Sequence, residues 1–185
     1  MDARIAVWIA THRIHALDEV FVGLGTVEKL GLLWAVIALA VGWTLRLGVW
    51  RTLGLAAGVA LTTIAADAVC FGLKDAVHRT RPFVAHPQIH PLYTVHSSSF
   101  PAGHAATAFA GAVVLSFVVS RAAPLLLLVA AAIGFSRVYV GVHYPTDVLA
   151  GAAVGAVVGA TAALTVAWVL ARVRGTSGLA LNVST

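Results

Sequence analysis

Ser136-Arg-Val-Tyr-Val-Gly-Val-His-Tyr-Pro-Thr-Asp147 joins two long apolar runs, 122–142 and 146–170. It carries an arginine, a histidine six residues later and an aspartate four beyond that. Charged and ionisable groups are costly beside hydrocarbon, so their placement here asks for a functional reason. Arg137 offers a planar fork of donors suited to phosphate oxygens. His143 is a candidate nucleophile, and Asp147 a candidate for fixing its tautomer and raising its basicity. The same residues also read as an interfacial Arg and His followed by a helix-capping Asp. Two further clusters decide between these readings.

Outward from this stretch the chain is apolar almost throughout. Of 185 residues, 60% are hydrophobic and 10% charged, against about a quarter charged in an ordinary soluble domain. The reading is an all-α polytopic membrane helix bundle, with 1–185 as a single membrane-embedded domain. Spans are expected at 30–45, 52–73, 104–120, 122–142 and 146–170, close to the roughly 17–25 residues that cross a bilayer. Residues 1–29 mix Ile5, Trp8 and Ile9 with Arg4, His12, Arg13 and His15. They predict an interfacial amphipathic helix, with a tilted or re-entrant first span as the alternative, giving five or six spans. The lone Cys70 lies in an apolar run, which fits a small packing residue and rules out an internal disulfide.

Charge placement sets the topology. Arg46, Arg51, Arg121, Arg172 and Arg174 fall at run ends that all face one side, cytoplasmic by the positive-inside tendency. Crossing counts then put the 74–103 loop, the start of the third span and the 136–147 stretch on the extracytoplasmic face. The net charge of +5 forms no basic stripe, which argues against nucleic acid as a partner. Gly151, Gly155 and Gly159 form a small-residue stripe, read as intramolecular packing rather than a dimer face, without fixing an oligomeric state. Asp67, at membrane depth, reads equally as a proton or substrate-path residue and as a group bonded to a neighbouring hydroxyl.

The second cluster is Lys74-Asp-Ala-Val-His-Arg-Thr-Arg81-Pro82, two cations seven apart with the latter fixed by proline. Positive flanks are expected on the opposite side, which weakens the reading of Lys74 and Arg81 as ordinary helix flanks. The third is Ser97-Ser-Ser-Phe-Pro101-Ala-Gly-His104. Its proline and glycine lead into a helix whose first amides are free donors for an anion, and His104 there is able to donate a proton. A Ser- and Pro-built helix cap accounts for Ser97 to Ser99 more readily than for His104. The scattered His78, His86, His90 and His96 invite a zinc reading, but their irregular spacing opposes it, so no metal is expected.

The order Lys-x6-Arg-Pro, Pro-x-Gly-His and Ser-Arg-x5-His-x3-Asp resembles the three-part signature of the type 2 phosphatidic acid phosphatase superfamily, which includes the vanadium haloperoxidases. The segments 81–86 and 134–147 look most like bacterial undecaprenyl-diphosphatases of the bacitracin-resistance type. The resemblance implies a cofactor-free integral enzyme of the bacterial cytoplasmic membrane acting on a lipid phosphate. Lys74, Arg81 and Arg137 would hold the phosphate, His143 would form a phosphohistidine oriented by Asp147, and His104 would act as acid and then base. Ala102 stands where the family usually has serine. The amides of Ala102 and Gly103, with Ser98 or Ser99, are the expected replacements for that hydroxyl. Polyprenyl diphosphate is the first substrate expectation and phosphatidic acid or phosphatidylglycerol phosphate the second. A transporter or a non-catalytic lipid-phosphate binder is the alternative from another class, and retention of both histidines and Asp147 opposes it.

Overall fold

Each apolar run becomes a helix that ends where glycine, proline or a polar residue interrupts it. The computed structural model describes residues 1–28 and 31–180, with side chains to residue 172; Arg174 lies outside the described side chains. The helices are α1 (Asp2–Thr11), α2 (Asp18–Val27), α3 (Leu32–Thr44), α4 (Val49–Val77), α5 (Pro82–Ala85), α6 (Gly103–Val118), α7 (Ala123–Tyr139) and α8 (Pro145–Ala180). Arg46 and Gly48, both at positive φ, turn the chain between α3 and α4. His78, left-handed with φ 49°, closes α4 and donates its amide to the Lys74 carbonyl. Pro82 and Pro145 then open α5 and α8, where a missing amide hydrogen costs nothing.

The chain is an all-helical integral membrane protein. The five runs correspond to α3, α4, α6, α7 and α8. Among the described residues, Val49–Ala85, Ser120–Tyr139 and Pro145–Arg172 are long and apolar enough to cross a bilayer. His15–Val27 with Leu32–Thr44 forms a pair bent by 75°, and Gly103–Val118 is a shorter apolar helix. Length and composition thus qualify three spans, or four with the bent pair, where the sequence reading expected five or six.

α6 is the central helix and packs against α3, α4, α7 and α8. Its buried face is built from Gly103, Ala105, Ala106, Ala108, Ala110, Gly111 and Ala112. Side chains this small let neighbouring backbones approach closely, and dispersion then holds the helices together where lipid removes the hydrophobic drive. The glycine stripe of α8 lies on this face: a Cβ at Gly151, Gly155 or Gly159 would run into the carbonyls of Ala102, Ala106 and Ala110 respectively. The stripe therefore serves packing within the chain. Gly155→Val is expected to cost about 1–3 kcal/mol by overpacking, read as a lower unfolding midpoint in detergent; an unchanged midpoint would mean that α8 does not sit on α6. Cys70 is buried beside Ala66, Ala106 and Ala110 as a packing residue.

The N-terminal segment is not peripheral. α1 packs on α5, α7 and α8, and α2 lies along α7. Arg13 donates to the His90 carbonyl, and the Ile14 amide donates to the Tyr139 hydroxyl, which in turn donates to Asp18. This docking matters because α2 forms the back wall of the site.

Candidate active site

Six helix ends and loops meet at one end of the bundle, and each delivers a charged or ionisable group. Lys74 comes from the last turn of α4, Arg81 from the extended residue before α5, and His104 from the first turn of α6. Arg137 comes from the last turn of α7, His143 from the loop after it, and Asp147 from the first turn of α8. The convergence expected from crossing counts is what the fold provides. Arg137, His143 and Asp147 are 1%, 4% and 0% exposed and Arg81 is 5% exposed. Burial this deep is tolerable only if the charges are paired and hydrogen-bonded.

Arg81 ties the three motifs together. Its Nε donates to the Ser97 carbonyl (2.7 Å), Nη2 donates to Ser97 Oγ (3.0 Å) and the Ser98 carbonyl (3.2 Å), and Nη1 donates to the Val142 carbonyl (2.8 Å). The same Nη1 faces His143 Nε2 at 3.4 Å. A guanidinium only donates, so Nε2 presents its lone pair and the imidazole proton sits on Nδ1. Nδ1 lies 3.5 Å from Asp147 Oδ2, with no closer partner among the described residues. Burial, reinforced by the nearby Arg81 and Lys74 charges and opposed by Asp147, pushes the His143 pKa down to about 4. Neutral imidazole is the nucleophilic form, so the ring is ready throughout the physiological range. In histidine-labelled protein, the His143 resonances, assigned by their absence from His143→Gln, should stay in the neutral form down to about pH 5. A midpoint near the ordinary value of about 6.5 would show that the ring is solvated.

Asp147 is saturated. Its Oδ2 accepts from Ser99 Oγ (2.5 Å) and the Tyr144 amide (2.9 Å), and Oδ1 accepts from Arg79 Nη1 (2.6 Å). Lys74 Nζ donates to the carbonyls of Ser98 (3.0 Å) and Pro101 (2.7 Å), so among the described residues one ammonium hydrogen is left for a ligand. Arg137 donates through Nε and Nη2 to Ser136 Oγ, through Nη1 to the Tyr93 hydroxyl (2.7 Å) and through Nη2 to the Phe21 carbonyl (2.8 Å). Gly25 of α2 lies against this guanidinium, where any Cβ would clash with it. The Gly25 backbone also contacts the half-buried His104 ring, which lies within electrostatic reach of Arg137, His143 and Lys74.

Two sequence expectations need correction. The Ala102 amide donates to the Asp147 carbonyl (2.9 Å), so it is not a free anion donor. The replacement hydroxyls are committed as well: Ser99 donates to Asp147 and Ser98 donates to the Arg79 carbonyl. The physical reason is shared, since a buried carboxylate and a sharp loop consume the nearest donors. Gly103 opens α6, so its amide and that of His104 stand in the turn whose donors lack intrahelical partners. Asp67 Oδ1 lies 2.8 Å from where a Gly103 Cβ would stand and is within electrostatic reach of Lys74. Among the described residues no three His, Cys, Asp or Glu side chains form a metal-binding group.

The sequence reading gave no role to Arg79, which stands two residues before Arg81 and bonds Asp147, and it missed Ser99 as a partner of Asp147. It also missed the back wall of Phe21, Gly25 and Tyr93, which contact Arg137 through backbone or hydroxyl groups and leave no charge pattern. Beside Arg81, a cleft of about 350 Å³ opens outward between Arg79, Phe83, Val84, His96 and Ser98.

Residues 52–174 match the family described as the PAP2 superfamily, and the matched segment contains Lys74, Arg81, His104, Arg137, His143 and Asp147. The chain belongs to the PAP2 superfamily. Among its relatives, a decaprenylphosphoryl-5-phosphoribose phosphatase of Mycolicibacterium smegmatis is 40% identical over 116 residues, covering 62% of this chain and 61% of that one. The undecaprenyl-diphosphatase BcrC of Bacillus subtilis is 32% identical over 145 residues, covering 78% of this chain and 72% of that one. The crystal structure of a transmembrane PAP2 type phosphatidylglycerolphosphate phosphatase from Bacillus subtilis superposes with a TM-score of 0.68 at 26% identity, covering 87% and 82% of the two chains. The PAP2 match begins inside α4, so α1, α2 and α3 lie outside it.

Proposed function

We propose that this PAP2 chain is a membrane-embedded lipid phosphatase that hydrolyses polyprenyl diphosphate to the monophosphate through a phosphohistidine on His143. The observation that carries the reading is the lone pair of His143 Nε2 turned toward Arg81. Lys74, Arg81 and Arg137 hold the terminal phosphoryl group, joined by the first amides of α6. Nε2 attacks phosphorus in line and the bond to the lipid-side oxygen breaks, with His104 giving that oxygen a proton. Water, deprotonated by His104, then attacks phosphorus and breaks the P–N bond, releasing inorganic phosphate and restoring neutral His143. Three cations stabilise the charge spread over the phosphoryl oxygens, a task that needs no further cofactor in this scheme.

The polyprenyl assignment draws on BcrC and on the mycobacterial phosphatase, both named for polyprenyl-linked phosphates. Phosphatidylglycerol phosphate is the second reading, favoured by the likeness to the Bacillus subtilis structure. An extracytoplasmic site is part of this reading, supported by Arg46, Arg51, Arg121 and Arg172 lying toward the opposite helix ends. Phosphate release by purified protein from undecaprenyl diphosphate, phosphatidylglycerol phosphate and phosphatidic acid in matched micelles tests the assignment. The expected order places undecaprenyl diphosphate highest in kcat/KM, and a higher value for either phospholipid would overturn it.

A further inference from the structure

The Asp147 carboxylate is fully buried, and Arg79 is the cation that bonds it directly, at 2.6 Å. Arg79 is held in turn. Its Nη2 donates to Asp2 Oδ2 (2.6 Å), its Nη1 donates to Thr146 Oγ1 (2.7 Å), and its guanidinium stacks 4.1 Å over the Tyr144 ring. Asp2 also accepts from the Thr146 amide (3.1 Å) and hydroxyl (2.5 Å), which caps the first turn of α8 where an anion is favoured. The first turn of α1 is thereby fastened to the segment 144–147.

We infer that Arg79, anchored by Asp2, is a positioning residue for the His143–Asp147 pair, so that α1 belongs to the working site although it lies outside the PAP2-matched residues. The inference rests on the phosphatase reading above. His143 Nδ1 stands 3.5 Å from Asp147 Oδ2, a separation at which small rotations of the carboxylate decide whether the imidazole is oriented. Arg79 bonds one carboxylate oxygen and Ser99 the other, which removes that freedom. With Arg79 gone, Asp147 loses its bonded counter-charge and turns toward its remaining donors, and the Nε2 lone pair leaves the line of attack. Arg79 holds no phosphate in this scheme: both Nη1 hydrogens go to Thr146 and Asp147, and Nη2 donates to Asp2.

The test uses full-length protein in detergent with undecaprenyl diphosphate, comparing wild type, Arg79→Gln, Arg79→Lys, Asp2→Asn, the Asp2→Asn/Arg79→Gln double variant and a His143→Ala control. Misplacement of about 1 Å costs about a hundredfold in rate, so Arg79→Gln should lose about that factor in kcat with KM nearly unchanged. Arg79→Lys, which keeps the charge, should recover part of the loss. Asp2→Asn should lose less than Arg79→Gln, and the double variant no more than Arg79→Gln alone, as expected for residues acting through one another. A rise in KM at constant kcat would make Arg79 a substrate ligand and overturn the inference, as would additive losses in the double variant. Should Arg79→Gln fail to fold, Asp2→Asn carries the decision: reduced kcat at constant KM supports the inference and unchanged kcat overturns it. Turnover retained by His143→Ala would instead overturn the phosphatase reading itself, and the role of Arg79 with it.

Discussion

His143→Ala protein is expected to release phosphate from a lipid diphosphate about 10⁵-fold more slowly than wild type, on the scale seen when a nucleophile is removed from a catalytic unit. Among the described residues no other group offers itself as a replacement. His104 sits in the first turn of α6 against Gly25, and the remaining neighbours of the phosphate site are the cations, with Lys74 held by loop carbonyls and Arg137 by the Phe21 carbonyl, and backbone amides that only donate. The fold should survive, because the loop carrying His143 is held by backbone bonds. The amides of Val142 and His143 donate to the Arg137 carbonyl, and the Val142 carbonyl accepts from Arg81. An unfolding midpoint close to wild type, together with retained lipid binding, would separate loss of chemistry from loss of structure. Residual turnover within about a hundredfold of wild type would mean that water attacks phosphorus directly.

His104→Ala is expected to slow turnover of the lipid substrate by about 10²–10⁴-fold, the usual worth of general acid–base catalysis. The loss should depend on the leaving group. A lipid alcohol or phosphate departs poorly without a proton, whereas p-nitrophenolate needs little help, so the first-turnover burst from p-nitrophenyl phosphate should fall by no more than about tenfold. Steady-state release should still fall with that substrate, because the second step needs His104 to activate water. Phosphorylated enzyme should therefore accumulate. Equal losses in the burst for both substrates would contradict the acid role and leave His104 as a structural neighbour of Gly25.

Much of this arrangement was legible in the sequence because charge in an apolar chain is conspicuous. Lys74, His104, Arg137, His143 and Asp147 sit where apolar runs end or begin and Arg81 in the polar loop between two of them, and counting runs brings all six to one end of the bundle. The glycine stripe of α8 was legible for a similar reason, since a four-residue period of small side chains is meaningful only against another backbone. What escaped was contact through groups that carry no pattern. Phe21 acts through its carbonyl, Gly25 through the absence of a side chain, and Tyr93 through a hydroxyl in an irregular loop. Asp2 and Arg79 are separated by 77 residues and meet only because α1 folds back on α8. The role of Ser99 was misjudged because hydrogen-bond commitments are invisible in sequence: the hydroxyl expected to face phosphate is spent on a buried carboxylate. The same holds for the Ala102 amide, drawn to the Asp147 carbonyl by the turn that places α6 beside α8.

The most direct measurement is to quench the enzyme during turnover of a substrate labelled in its terminal phosphate, under alkaline conditions that preserve a P–N bond, and to map the label. The account predicts label on the peptide containing His143, lost in acid and absent from His143→Ala. Label on another residue, or rapid turnover with none trapped even in His104→Ala, would contradict it.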